Sequence, residues 1–288
     1  MDETDFLVAP GRLFSLKKHD PGFTGKYSEK IHAEAKLQAD VERLSALQDI
    51  LYASQSHALL ILVQAMDAAG KDSLIKHVMT GLNPQGCTVH SFKEPSTEEL
   101  RHDFLWRAVK ALPERGMIGI FNRSYYEEVL VVRVHPELLR SGHIEEAPAE
   151  FLWKNRFEDI RAFERHLTRN GTVLLKFFLN VSREEQRKRF LERLTEQDKH
   201  WKFSPRDIAE REHWDKYMTA YEDALRHTST PWAPWHVLPA DHKWFTRLAA
   251  ADIVVKALEK MKLRYPVADA ATEKEFRKLE KVLRKKER

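Results

Sequence analysis

Cysteine is nearly absent from this sequence. Cys87 is the single one among 288 residues, so an internal disulfide is ruled out, as is any Cys-x-x-Cys redox or zinc pair. It opens a strand-like stretch, which reads as a core thiol rather than a nucleophile. The 14 histidines include no His-Glu-x-x-His pair, and His57, His77 and His135 are expected to be structural or surface groups. No uninterrupted apolar run approaches the ~20 residues that a bilayer requires. The opening Met1-Asp2-Glu3-Thr4-Asp5 is acidic, unlike a signal peptide, so the expected compartment is the cytoplasm, with no membrane partner. Internal repeats and low-complexity segments are missing too. Net charge is only +4, which does not by itself imply a nucleic-acid partner; a polyanion would have to be held by local clusters of charge.

What is present is 42% hydrophobic and 32% charged residues, the balance of a soluble globular chain long enough for one large α/β domain or two small ones. The stretch that organises it runs from Ala58 to Ser73. Ala58-Leu59-Leu60-Ile61-Leu62-Val63 is a near-continuous apolar run, the pattern of a parallel strand buried on both faces. A short loop of small residues follows, ending Gly70-Lys71, and then Leu74, Ile75, Val78, Met79 and Leu82 fall on one helical face. Strand, tight loop with Gly-Lys, then helix is the build of a phosphate-binding loop, in which backbone N–H groups meet an anion and the lysine adds a mobile charge. The standard G-x-x-x-x-G-K-[ST] pattern is not met in full: Ala65 replaces the first glycine, Asp72 takes the place of the hydroxyl residue, and Ser73 comes one position late. An ordinary αβ turn with a surface lysine is the competing reading. Asp67, inside the loop, is the natural ligand for a hard cation such as Mg²⁺, while Asp72 is read as favouring the helix N-terminus and pointing away.

Along the chain, residues 1–27 carry Pro10-Gly11, Pro21-Gly22 and Gly25 and read as an irregular arm. Ser28 to about Ser56 reads as a long amphipathic helix that covers the sheet or pairs with a second subunit. Cys87–Phe92 is a second strand. Ser96-Thr97-Glu98-Glu99 has the form of a capping box opening a helix to about Leu112. Met117–Phe121 is a third strand, and Val129–His135 leads into a polar region ending near Ala149. A helix is expected from Phe151 to Leu167, a strand over Val173–Val181, and a second capping box at Ser182-Arg183-Glu184-Glu185. Ser204-Pro205 starts a helix to about Arg226. Pro231–Pro239 holds a last short strand, Asp241 opens a helix to about Leu263, and residues 270–288 form a highly charged tail. Alternating β and α predicts one domain, 1–288, with a parallel sheet of about five strands and helices on both faces.

Three clusters bear on chemistry. The first is the loop Asp67–Lys71. The second is Asn122-Arg123-Ser124-Tyr125-Tyr126-Glu127, polar residues at the C-terminal end of a buried strand, where open α/β sheets bind ligands. Its first polar position is Asn122 rather than an aspartate, so Glu127 is a candidate for the missing carboxylate; a polar cap on a sheet edge is the alternative. The third is the basic set Arg183, Arg187, Arg189, Arg193, Lys199 and Lys202. Glu184–Lys188 and Glu185–Arg189 stand at i,i+4, which makes much of this a solvated helix face. Arg183, Arg187, Lys199 and Lys202 are not obviously neutralised by such pairs, and on a lid they would grip phosphates.

Met66-Asp67-Ala68-Ala69-Gly70-Lys71-Asp72, Phe121-Asn122-Arg123-Ser124-Tyr125-Tyr126-Glu127 and Pro234-Trp235-His236-Val237-Leu238-Pro239-Ala240-Asp241 together resemble the polyphosphate kinase 2 family, over about Gly11 to Leu263. The resemblance implies a P-loop kinase fold like that of thymidylate kinases, a three-layer αβα sandwich with a helical lid at about 182–226. It implies transfer of phosphate between inorganic polyphosphate and adenine or guanine nucleotides, with Mg²⁺ or Mn²⁺. It assigns metal binding or catalysis to Asp67, the transferring phosphate to Lys71, and phosphate or nucleotide contact to Arg123. Asn122 with Glu127 resembles the subgroup that accepts nucleoside monophosphates as well as diphosphates, and Tyr126 falls in the same nucleotide-binding segment. The loop residues Ala68, Ala69, Gly70, Asp72 and Ser73 are assigned to phosphate, and Arg133, Arg183, Arg187, Lys199 and Lys202 to the polyphosphate chain. The family also forms dimers or tetramers. Two rivals stay open: an ATP-dependent nucleotide or small-molecule kinase on the same fold, and a non-catalytic polyanion-binding protein.

Overall fold

The computed structural model describes residues 1–141 and 149–286. One five-stranded sheet forms its centre, all strands parallel, in the order β2-β3-β1-β4-β5. The strands are β1 (Ala58–Ala65), β2 (Cys87–Ser91), β3 (Ile118–Asn122), β4 (Thr172–Asn180) and β5 (Trp235–Pro239). All eight residues of β1 are buried, as its unbroken apolar run requires of a central strand. Chain leaving β1 moves toward β2 and chain leaving β4 moves toward β5, so the topological switch lies between β1 and β4. Register places Val63 beside Asn122 and Phe177, which brings the loop after β1 next to the residues after β3.

Helices cover both faces. On one side α1 (Ile31–Ser54) packs on α10 (Lys243–Lys260), which also meets α2 (Lys71–Val78). On the other, α6 (Ala149–Arg169) packs against β4 and α9 (Trp214–Thr228). Helix α7 (Arg183–Thr195), a 3₁₀ segment over Gln197–Lys202 and α8 (Pro205–Glu212) occupy the first part of the stretch expected as a lid, about 182–226, whose remainder is α9 in the core. The tail is a helix, α11 (Ala270–Lys286), with Phe276, Leu279 and Leu283 exposed. No described helix is long and apolar enough to cross a membrane.

Several expectations are corrected. The Ser96 capping box forms, with Ser96 N–H on Glu99 Oε2 at 2.7 Å and Glu99 N–H on Ser96 Oγ at 3.2 Å. The helix it opens lasts only over Glu99–Arg101, because His102 is extended and Asp103 accepts the Leu105 N–H. Helix resumes as α3 (Trp106–Lys110). The helix expected from Ser204 to Arg226 is two: α8 buries none of its residues, whereas α9 buries Trp214, Tyr217, Tyr221 and Leu225, and the break at His213 lets each face its own surroundings. Asp241 does not cap α10; its carboxylate accepts the Ser182 N–H at 2.8 Å. Val129–His135 holds the short helix α4 (Val131–Val134), followed by α5 (Glu137–Ser141). Beyond it, the polar region expected to reach Ala149 lies outside the described residues over 142–148.

The N-terminal arm is irregular but fastened. Phe6 and Val8 are buried, Val8 N–H donates to Trp235 O at 2.9 Å and Val237 N–H to Phe6 O at 2.8 Å. The arm thereby covers the outer edge of β5. Glu3 sits 3.3 Å from the His236 ring and accepts from Lys260 Nζ at 2.8 Å. The His236 contact first, then Lys260, hold its carboxyl at about 2, below the ordinary 4.5, against the opposing effect of burial. A depressed carboxyl stabilises the fold above the unfolded pKa and loses that contribution as pH falls through the folded one. Glu3→Gln should therefore lower the melting temperature near neutral pH by at most about 3 °C. The difference from the parent should shrink as pH drops from about 4.5 to about 2 in a fluorimetric melting series.

Candidate functional site

The loop after β1 closes on itself through two left-handed residues, Ala68 at φ 60° and Gly70 at φ 109°. Glycine suits the second; the alanine carries a strain of about 1 kcal/mol that the surroundings must hold. What holds it is Arg189, which is 3% exposed. Its Nη1 donates to Ala68 O (3.1 Å) and Ala69 O (2.7 Å), its Nη2 to Ala240 O (2.6 Å) and Asp241 O (3.0 Å), and its Nε to Glu185 Oε1 (2.9 Å). All five guanidinium donors are thus used. Gln186 Nε2 adds a bond to Asp67 O at 2.9 Å, and Arg211 Nη1 reaches Gln186 Oε1 at 2.6 Å.

Lys71 is nearly buried, and its ammonium donates to Ala65 O (2.9 Å) and Met66 O (3.2 Å). Two of its three donors are engaged in this way, and the third is left for an anion. Burial lowers its pKa, while Asp67 pulls the other way. Arg123, itself left-handed at φ 62°, places Nη2 at 2.9 Å from Asp67 Oδ1 and Nη1 at 3.6 Å from Glu127 Oε2. Burial works to lower the Arg123 pKa, but Glu127 and then Asp67 outweigh it and the guanidinium stays charged. Burial raises the Glu127 carboxyl, opposed by Arg123 and Lys71. The buried Gln64 amide, oriented with its nitrogen on Glu127 Oε1 (2.9 Å), accepts from Ser124 Oγ at 3.0 Å. Asn122 Nδ2 donates to Asp72 Oδ1 at 2.8 Å. Asp72 therefore does not point away; it lines the site, as does Ser73, whose hydroxyl accepts from Arg247 at 2.7 Å.

Two cavities meet here. The first, about 660 Å³, lies against the loop; eight of its lining residues are Lys or Arg and five are Asp or Glu, so its net field is positive. It gathers the expected Asp67, Ala68, Gly70 and Lys71, then Asn122 and Arg123, and from the lid Lys199 and Lys202. The second, about 700 Å³, has walls of Leu100, Phe104, Val131, Val132 and Leu139, with Glu127 and Arg123 at its inner end. Asp67, Lys93, Glu94, Arg123 and Asp207 line both and form the shared wall.

Other expected residues lie elsewhere. Ala69 is buried and contributes through its carbonyl. Tyr126, expected among the nucleotide-binding residues, is fully buried and lines neither cavity. Arg133 is turned to Asp223 at 2.6 Å. Arg187 is neutralised by Glu184 at 2.8 Å, an i,i+3 pair, and neither it nor Arg183 lines a cavity. Lys188 pairs with Glu185 instead of Glu184. Lys199 has acidic partners of its own, Glu196 at 2.6 Å and Glu192 at 3.6 Å. Sequence reasoning missed Lys93 and Lys243, which line the basic cavity just past β2 and β5. The rule that ligands gather beyond the carboxyl ends of parallel strands would have found both.

Among the described residues no three or more His, Cys, Asp and Glu side chains are grouped to cage a metal. Mg²⁺ needs no such cage, since one or two protein oxygens with water and substrate phosphates complete its shell. Asp67 and Asn122 Oδ1, the latter buried without a hydrogen-bond partner among the described residues, fit that role.

The sequence profile of the family described as "Polyphosphate kinase 2 (PPK2)" matches residues 27–266. The chain is 49% identical over 282 residues to an ADP-polyphosphate phosphotransferase of Rhodopseudomonas palustris, covering 97% of this chain and 98% of the relative. It is 42% identical over 270 residues to an AMP/ADP-polyphosphate phosphotransferase of Meiothermus ruber, covering 93% and 97%. The crystal structure of polyphosphate kinase 2 from Arthrobacter aurescens superposes with a TM-score of 0.86 at 41% identity, covering 96% of each chain.

The difference between a loop anchor and a solvated arginine is measurable. Arg189→Met strands four carbonyls and Glu185, and should lower the unfolding free energy in urea titrations by about 3 kcal/mol. Arg187→Ala, on the exposed face of the same helix, should change it by no more than about 0.5 kcal/mol.

Proposed function

The chain belongs to the polyphosphate kinase 2 family, and from that footing we propose that it moves the terminal phosphate of inorganic polyphosphate onto AMP and ADP, with Mg²⁺. The observation that carries this reading is the pair of cavities sharing the Asp67–Arg123 wall. A chain of phosphates suits the basic cavity, where Lys93, Lys202 and Lys243 offset its charge. A nucleoside suits the cavity with the apolar walls, its phosphates directed inward to Arg123. The transferring group then lies at the wall both ligands reach, within range of Lys71.

Phosphoryl transfer needs in-line positioning and neutralisation of charge, and little covalent help. Lys71 has one ammonium donor for the moving phosphate and is held by two carbonyls, so its place is set before substrate arrives. Arg123 is held between two carboxylates, which fix its plane and leave donors for the acceptor phosphate. Asp67 with Asn122 would hold Mg²⁺, which when bound would supply further neutralisation of phosphate charge. Acceptance of AMP as well as ADP is supported by the Meiothermus relative's name and by the neutral Asn122; the Rhodopseudomonas relative is named for ADP alone. Guanine nucleotides and a homo-oligomer belong to the same reading, tested by GDP in place of ADP and by mass in solution.

ATP formation from ADP, and separately from AMP, should be seen with polyphosphate and Mg²⁺ in a luciferase assay. Product from ADP alone would keep the family and remove the monophosphate assignment. Lys71→Ala and Asp67→Asn should each lower turnover by at least about 100-fold with an unchanged melting profile. Near-normal turnover in either folded variant would refute its role.

A further inference from the structure

Behind the catalytic wall lies a charged cluster that no solvent reaches. Lys176 sits within β4, opposite Leu62 of β1 and Trp235 of β5, between the apolar Leu175 and Phe177. Its side chain and that of Glu164, on α6, are both 0% exposed. Lys176 Nζ donates to Glu164 Oε2 at 2.6 Å, to Thr228 O at 2.8 Å and to the Tyr126 hydroxyl at 3.1 Å. The other oxygen of Glu164 accepts from Tyr126 at 2.7 Å and from Tyr125 at 3.0 Å. Three ammonium donors meet three acceptors, and one carboxylate oxygen gathers two phenols.

Stability is a poor reason for such a set, since apolar side chains of similar volume commonly hold a core as well as a buried ion pair does. What the set fixes is direction. Tyr125 and Tyr126 lie in the chain between Arg123 and Glu127, and Tyr125 opens the 3₁₀ turn Tyr125–Val129 that carries Glu127. Two neighbouring rings tied at their far ends to one oxygen cannot slide or rotate separately. The backbone before them is strained at Arg123, so the turn needs an outside anchor to keep that conformation.

We propose that Glu164 and Lys176 are positioning residues: through the hydroxyls of Tyr125 and Tyr126 they hold the turn that presents Arg123 and Glu127 to the reacting phosphates. The inference rests on the functional reading above. Neither tyrosine lines a cavity, so their effect on the reaction passes entirely through the groups they hold.

Glu164→Gln leaves Lys176 buried without its counter-charge and is at risk of not folding, so the deciding variant is Tyr125→Phe with Tyr126→Phe. It keeps both rings and removes only the hydroxyls. Two readouts apply. Turnover with ADP and polyphosphate should fall about tenfold, since small misplacement of a reacting group is enough, with KM for ADP within about twofold. In an Arg123→Lys, Glu127→Gln background, where both presented groups are already changed, the same pair of substitutions should lower turnover by less than about twofold. Independently of activity, hydrogen exchange over residues 122–129 should quicken by at least about tenfold while peptides of β1 and α2 keep their protection. A folded double variant with parental turnover and unchanged exchange over 122–129 would overturn the proposal, as would an equal loss of turnover in both backgrounds. Parental protein that makes no nucleotide from polyphosphate would count against the functional reading, and the exchange result alone would then decide the positioning role.

Discussion

A single buried guanidinium sets the geometry on which the site depends. Arg189 reaches from α7 to four backbone carbonyls on two separate loops, one after β1 and one after β5. Carbonyls that converge in this way repel one another, and a charged planar fork of donors is the side chain that can sit among them with every group satisfied. The left-handed Ala68 and the position of Lys243 at the start of α10 both follow from that clamp. So does the link to the lid: Gln186, one turn from Arg189 on the same helix, joins the Asp67 carbonyl to Arg211 on α8.

Charges in the centre of the site alternate in sign. Lys71, Asp67, Arg123 and Glu127 each find opposite charge nearby, so no member is buried as a lone ion. Such an arrangement holds its shape without substrate, and a polyanion entering from the basic cavity meets donors already in place. This is preorganisation by mutual neutralisation, with the excess of positive charge carried on Lys93, Lys202 and Lys243 of the basic cavity.

The fold was legible in the sequence wherever an element is long and its burial follows one period. β1, α1, α6 and β4 were visible as apolar runs or helical stripes, and the phosphate loop as the break between strand and helix. Legibility failed where a tertiary partner overrides a local pattern. Ser96–Glu99 is a true capping box, yet Asp103 ends what it starts. Glu185–Arg189 reads as a surface i,i+4 pair and forms, but its arginine faces inward to carbonyls that no sequence pattern announces. Tyr126 follows Asn122 and Arg123 into the site by adjacency, while the fold turns its ring to the core. Arg133 and Arg187 illustrate the same limit from the other side: a basic residue near a motif says nothing of which carboxylate will reach it first.

The half-buried Cys87 has a further consequence. Its sulfur accepts from Gln48 Nε2 at 2.9 Å, and burial pushes the thiol up to about 11. Near neutral pH only about one molecule in ten thousand carries the thiolate, the form that reacts with oxidants and alkylating reagents. The one thiol of the chain is thus held mainly in its less reactive protonated form. A cysteine introduced at an exposed position such as Trp201, on the rim of the basic cavity, would be the one readily labelled thiol on the chain, and a fluorophore placed there would sense what enters that cavity.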